Sequence, residues 1–221
     1  MDVLDAIIGR ASTRAFLDRP VSRGILHKIL DTARWAPSGV NSQPWQVCVV
    51  TGESKQRISD SIVAAMEAGH KPNPDYRYYT KEFPELYRER QVACGKALYG
   101  ALGIQREDKQ RRKEQWMKNY HGFGAPAEIF IFIESIMEKG SWLDMGMFVQ
   151  NIMLAARGCG VETCPQAALA EFPDIVRNEL KIDSSRHLIC GIAVGYADFT
   201  DPVNQYRTER ESVDQFTEWF D

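Results

Sequence analysis

No stretch of this sequence is apolar for long enough to cross a bilayer, which takes about 18 residues. Its start, MDVLDAIIGR, carries two acids where a secretory leader has a basic flank, so no leader is expected. Positive charge is not in surplus. The formal net charge is −3 at pH 7, which argues against a main role on nucleic acid. CxxC pairs are missing. The five cysteines (48, 94, 159, 164 and 190) are odd in number and fit reduced thiols of a cytoplasmic protein better than a disulfide frame. Cys159 and Cys164 are the closest pair, and no histidine near them completes a metal set. GxGxxG after a strand is missing, so no separate dinucleotide fold is expected. The four histidines (27, 70, 121 and 187) are scattered and read as structural or exposed. No internal repeat is visible.

What is present is a chain of 221 residues, long enough for one substantial core. Asp2 is placed to cap a short helix with Val3, Leu4, Ile7 and Ile8 inward. Ser22 opens a second helix, with Ile25, Leu26, Ile29, Leu30 and Ala33 on one stripe, and Pro37 bars its extension. QVCVVTG at 46–52 reads as a β-branched strand ended by Gly52. Ile58, Ile62, Val63 and Met66 suggest a further helix. IFIFIE (129–134) and LICGIAVGYAD (188–198) have the character of fully buried strands. WLDMGMFVQNIMLAARGCG (142–160) is apolar nearly all round, which predicts a helix buried on every side. Pro173 starts a short helix, and Ser212 caps a last segment with Val213, Phe216, Trp219 and Phe220. Strands are few and do not alternate regularly with helices, so the class expected is α+β, as one domain over 1–221.

The segment from about 72 to 120 stands apart. Tyr87, Cys94, Leu98 and Ala101 give it one helical stripe, and 106–118 mixes both charge signs. A solvated helix face is the plain reading of such a run. A lid over a site, with tyrosines and arginines turned to a ligand, is the sharper one, since insertions of this length are often functional.

Two stretches carry chemistry. In RASTRAFLDRP (10–20), Arg10, Ser12 and Arg14 alternate, so an extended backbone sets all three on one side. Two guanidinium forks and a hydroxyl suit a phosphate. WAPSGVNSQPW (35–45) gathers Ser38, Asn41 and Gln43 between Pro37 and Gly39. Amides that become buried need partners, and a flat polar heterocycle would supply them. Phosphate at one end and a polar ring at the other describe a nucleotide-like cofactor.

The pair RASTRAF and WAPSGVNSQPW, at this separation, resembles the FMN-dependent nitroreductase family. CPQAAL (164–169) is similar to the family's proline-containing turn facing the flavin, and GYAD with PVNQYRTER (195–210) to its phosphate-binding segment. The run FPELYRERQVACGKALYGALGIQREDKQRR, with FGAP after it, looks like the nitrobenzene and nitrobenzoate reductase branch. The resemblance spans nearly the whole chain. Ala11 departs from it, standing where relatives carry Arg or His; the family engages the backbone there.

That resemblance implies a central, mostly antiparallel sheet flanked by helices, in an intertwined homodimer with FMN at the interface. It implies that Arg10, Ala11, Ser12 and Arg210 hold the phosphate and ribityl chain, with Arg207 helping, and that Arg14 stands at the polar edge of the ring. Pro37, Ser38, Gly39, Asn41 and Gln43 would approach from the other subunit. Pro165, Gln166, Ala167 and Ala168 would face the ring's reactive nitrogen, and Gly39 and Phe123 would border the substrate. The flavin carries the chemistry, so no catalytic acid–base pair is expected. NADH or NADPH would reduce it, and a nitroaromatic compound would reoxidise it through the same pocket. Alternatives are another oxidant in the same fold (a quinone, or reductive dehalogenation) and a flavin-binding protein without turnover.

Overall fold

The structure is a computed structural model describing residues 1–221. The chain begins with α1 (Val3–Gly9) and α2 (Arg23–Ala33), the latter capped by Ser22, whose hydroxyl accepts from the Ile25 N–H at 3.3 Å. β1 (Gln46–Thr51) runs straight into α3 (Gly52–Glu67); Gly52 takes φ 52°, so the turn needs no loop. The segment between the core elements carries α4 (Glu85–Ala101) and α5 (Lys109–Met117). A one-turn-plus 3₁₀ stretch, Lys118–Gly124, then leads into β2 (Ala127–Glu134). α6 (Lys139–Gly158), β3 (Glu162–Gln166), α7 (Pro173–Leu180), β4 (Arg186–Gly195) and the single turn α8 (Val213–Phe216) complete the chain.

The four strands form one sheet in the order β1-β2-β4-β3, antiparallel throughout. β2 is central and buried on both faces, as its unbroken apolar run requires. Its odd positions Ile129, Ile131 and Ile133 meet Leu26, Ile29 and Ala33 of α2 and Phe148 and Ile152 of α6. Its even positions Phe130 and Phe132 meet Ile58 and Ile62 of α3 and Val176 of α7. The sheet is thus a layer between two layers of helix, the α+β arrangement expected.

Several expectations need correction. Val3, Leu4, Ile7 and Ile8 of α1 do not point inward; only Ala6 of that helix is buried. α6 buries one face (Met145, Phe148, Ile152, Met153, Ala156), while Leu143 is 70 % exposed and Gly146 open, so it is not enclosed on every side within this chain. Tyr87 and Cys94 on the α4 stripe are exposed, and no residue of α4 is buried. Val213, Phe216, Trp219 and Phe220 lie at the surface too. The sequence reading also missed β3, taking CPQ for a turn. Pro165 is tolerated there because β3 is an edge strand, with a full ladder to β4 alone and a single isolated bridge, at Thr163, on its outer side.

Candidate active site

The end of α1 turns the chain out along the edge of β3. Ser12 bridges Thr163 in parallel, and the Thr13 N–H bonds the Thr163 carbonyl at 3.0 Å. This pairing holds 10–14 extended. All five residues from Arg10 to Arg14 line one cavity of about 870 Å³, Thr13 being the buried one among them. Its other walls come from Arg157 at the end of α6 and from 203–210, including Arg207 and Arg210.

The charges there are lopsided. Arg10 is held below its usual guanidinium pKa by burial first, then by Arg210, Arg207 and Arg157. A single carboxylate, Glu162, answers them, 2.7 Å from Arg157. Burial lifts the Glu162 carboxyl, and Arg157, Arg10 and Arg207 pull it back only in part. The Arg157 Nε is buried with no partner. Such a field, with a donor left over, fits a phosphate. Arg207 is otherwise engaged: its fork donates to the carbonyls of Ile8, Gly9 and Arg10, closing the open end of α1. Arg210 folds back on Thr208 and Glu209.

Arg14 also lines a second cavity, of about 430 Å³. Its guanidinium donates to the Tyr206 hydroxyl at 2.9 Å and lies 6.0 Å from the Phe123 ring centre. Asn204 fixes the Arg14 backbone, its Oδ1 accepting from the Arg14 N–H at 2.8 Å. The rest of this cavity is aromatic and amide-lined: Tyr76, Tyr78, Tyr79, Tyr99 and Trp116 from the 72–120 segment, Phe123, and Pro165, Gln166, Ala167 and Ala168 at the end of β3. Gln166 donates to the Asn119 carbonyl at 2.7 Å, while its own Oε1 is buried and unpartnered. A flat aromatic slot with unsatisfied polar edges, opening from an anion cradle, fits the phosphate and ring of FMN.

The amide loop lies elsewhere in the chain. Pro37, Ser38, Gly39, Asn41 and Gln43 line neither cavity. The loop is pinned to α6 by Asp144, whose buried carboxylate accepts from the Gly39 N–H at 3.2 Å, and is closed on itself by the Ser38 hydroxyl, which accepts from the Gln43 N–H at 3.0 Å. Val40, Asn41 and Gln43 all have positive φ (49°, 58° and 48°). Each such residue costs of order 1–3 kcal/mol. Val40 is β-branched and fully exposed.

The sequence reading passed over Arg157, Asp144, Asn204 and Tyr206. A signal existed for the first two: they are the charged residues within the apolar run 142–160.

A three-layer α+β sheet with an anion cradle joined to an aromatic slot is the architecture of a cofactor-binding oxidoreductase. Residues 7–196 match the family model described as "Nitroreductase family", and the chain belongs to that family. It is 39% identical to the 4-nitrobenzoate reductase of Pseudomonas putida, over 98% of this chain and 95% of that one. It is 34% identical to the nitrobenzene nitroreductase of Ectopseudomonas oleovorans, over 96% and 94%. The crystal structure of the FMN and NADPH-dependent nitroreductase NfnB from sphigopyxis sp. strain HMH superposes with a TM-score of 0.97 at 39% identity, covering 100% of both chains.

Proposed function

We propose that this protein is an FMN- and NAD(P)H-dependent reductase of nitroaromatic compounds, working as a homodimer. The observation that carries this is Arg14, a cation lining both the anion cradle and the aromatic slot. The names of the relatives support the oxidant class, and that of the superposed structure supports the cofactor and reductant.

Bound FMN supplies hydride chemistry; the chain supplies binding, orientation and charge. Arg10, Ser12 and Arg210 would hold the phosphate, with Arg157 adding positive charge to the cradle. Ala11 contributes backbone between them. Arg207 keeps the end of α1 in place and so acts on the cradle through the backbone. Arg14 faces the polar edge of the ring, where a fixed cation favours negative charge. Pro165 to Ala168 form the floor of the slot. The strained loop with Ser38, Gly39, Asn41 and Gln43 completes the site of the partner subunit, which accounts for Val40 standing out on the surface. The 72–120 segment is the lid, with its tyrosines and Trp116 as walls that exclude water.

The experiment is direct. The purified protein should carry a flavin spectrum that bleaches on anaerobic addition of NADH or NADPH and returns with 4-nitrobenzoate or nitrobenzene. A colourless protein that binds no added FMN would overturn the reading. One that is bleached but reoxidised only by quinones would replace the oxidant class.

A further inference from the structure

One buried ionisable group has no part in the chemistry above. Glu128 sits near the start of β2, followed by the apolar run 129–133, and it is 1 % exposed. It lies on the sheet face that carries the site. Its register partner Ala193 pairs in turn with Cys164, and its Oε1 lies 3.2 Å from where a Cβ of Gly191, the partner of Gln166, would stand. That Oε1 has no hydrogen-bond partner, and neither has the Oε1 of Gln166.

Above Glu128 passes the turn that bears Phe123. Gly122 and Phe123 both have positive φ, 56° and 55°. A Cβ on Gly122 would come within 3.3 Å of both Glu128 Oε2 and Lys55 Cε, so carboxylate and lysine press on this glycine together. Lys55 of α3 also donates to the His121 carbonyl at 2.9 Å. The turn therefore lies close against a buried acid and is tied through its backbone to a lysine. Phe123, on its far side, faces the aromatic slot with Arg14 and Gln166.

We propose that Glu128 is a positioning residue whose protonation state sets the seating of the Gly122–Phe123 turn and, through Phe123, the fit of the oxidising substrate. The inference rests on the site reading above. Burial lifts the Glu128 carboxyl to about 7, and Lys55 is the cation that pulls against the rise. The neighbouring titratable groups are Cys164 on β3, kept as a thiol by burial, and His121 on the turn itself. Above pH 7 the carboxylate balances the half-hidden Lys55, and the charge-assisted bond to His121 holds the turn down. Below it the carboxylate is gone, Lys55 loses its counter-charge, and the strained turn relaxes.

The test uses the flavin-loaded enzyme from well below to well above pH 7. In the wild type, KM for a nitroaromatic oxidant should rise about fivefold at the acid end, the worth of one net hydrogen bond. The rate of flavin reduction by NADPH should stay level. Glu128→Gln should lose the inflection and keep the higher KM throughout. Lys55→Met removes both the tether to His121 and the charge that lowers the acid's pKa, so KM should stay high without an inflection while the titration of the acid itself moves to higher pH, which a merely structural role would not produce. Two readouts need no oxidant. The infrared carbonyl band of a protonated carboxyl should titrate near 7 and vanish in Glu128→Gln. The resonance of 4-fluorophenylalanine at position 123, assigned by its loss in Phe123→Leu, should follow the same curve. A KM inflection surviving in Glu128→Gln or in Lys55→Met, a carboxyl band unmoved by Lys55→Met, or a fluorine resonance blind to the titration would overturn the proposal. If no nitroaromatic is turned over at any pH, the functional reading falls, and the band and the resonance alone decide on Glu128.

Discussion

Arg10 and Arg207 look alike in the sequence and differ in the structure. Arg10 makes no side-chain bond inside the chain and is held below its usual pKa by burial and then by the guanidinium groups around it, so its charge is available to a ligand. Arg10→Ala should weaken FMN binding about ten- to a hundredfold, read by fluorescence titration, with little change in melting temperature. Arg207→Ala should lower the melting temperature as well, since it strips the carbonyls of Ile8, Gly9 and Arg10 of their donor. Equal melting temperatures for the two variants would contradict this division. Arg14 bears on redox chemistry. Arg14→Gln removes a cation beside the ring, so the two-electron potential should fall; a loss of about 1.4 kcal/mol corresponds to about 30 mV. A potentiometric titration with no shift, or a rise, would remove Arg14 from the ring edge.

At the scale of the element, the proposed lid and the turn behind it are expected to decide what enters. The lid starts at a fixed point: Asp75 accepts from Arg177 at 2.6 Å and from the Leu188 N–H at 2.8 Å, and the Tyr76 hydroxyl donates to the Ile189 carbonyl at 2.6 Å. Beyond that anchor, α4 buries nothing, so the lid's walls can shift while its root stays. Phe123 is buried as well as cavity-lining, packing on Ala125, Cys164 and Ala193. Truncation to Ala would therefore hollow the core, and Phe123→Leu is the cleaner probe. It should change the ratio of nitroarene to quinone kcat/KM by about tenfold, with FMN content intact. Loss of flavin would show that the turn supports the cofactor instead. Glu128 ties this element to stability. Its carboxyl binds a proton more tightly folded than unfolded, rising from 4.5 to about 7. Its stabilising share is thus complete below the lower value and lost as pH climbs through the higher. Urea midpoints should fall over that window in the wild type and fall less in Glu128→Gln.

At the scale of the whole molecule, the exposed apolar faces lie together in the argument for a dimer. α1 shows Val3, Leu4 and Ile8, α6 shows Leu143, and the C-terminal segment shows Phe216, Trp219 and Phe220, each more than half exposed. Scattered apolar residues need no explanation, but whole faces of helices do. A second copy would cover the open side of α6 and bring the strained Ser38–Gln43 loop to its partner's slot. Sedimentation should give a dimer, and Leu143→Arg should give a monomer that retains little FMN. A flavin-replete monomer would contradict the shared site.

Local chemistry was enough to determine much of this protein. Ser22, Pro37 and Gly52 placed element ends because caps and φ limits act within a few residues. The apolar runs of β2 and β4 announced buried strands, whereas the alternation of Arg10, Ser12 and Arg14 does not set them apart, since Ala11 and Thr13 line the same cavity. The family was legible in two short motifs. What tertiary structure alone decided depends on contacts distant in sequence. β3 is a strand only because β4 offers an edge, which lets Pro165 sit in a ladder. Hydrophobicity alone put the α1 stripe and all of α6 inside, but burial is a property of what packs against a face, and here one chain covers only part of each. Arg157 and Arg207 joined the cradle, Asp144 took hold of Gly39, and Glu128 came beneath Phe123 because a sheet and its helices brought remote segments within a few ångströms, a proximity no spacing along the chain encodes.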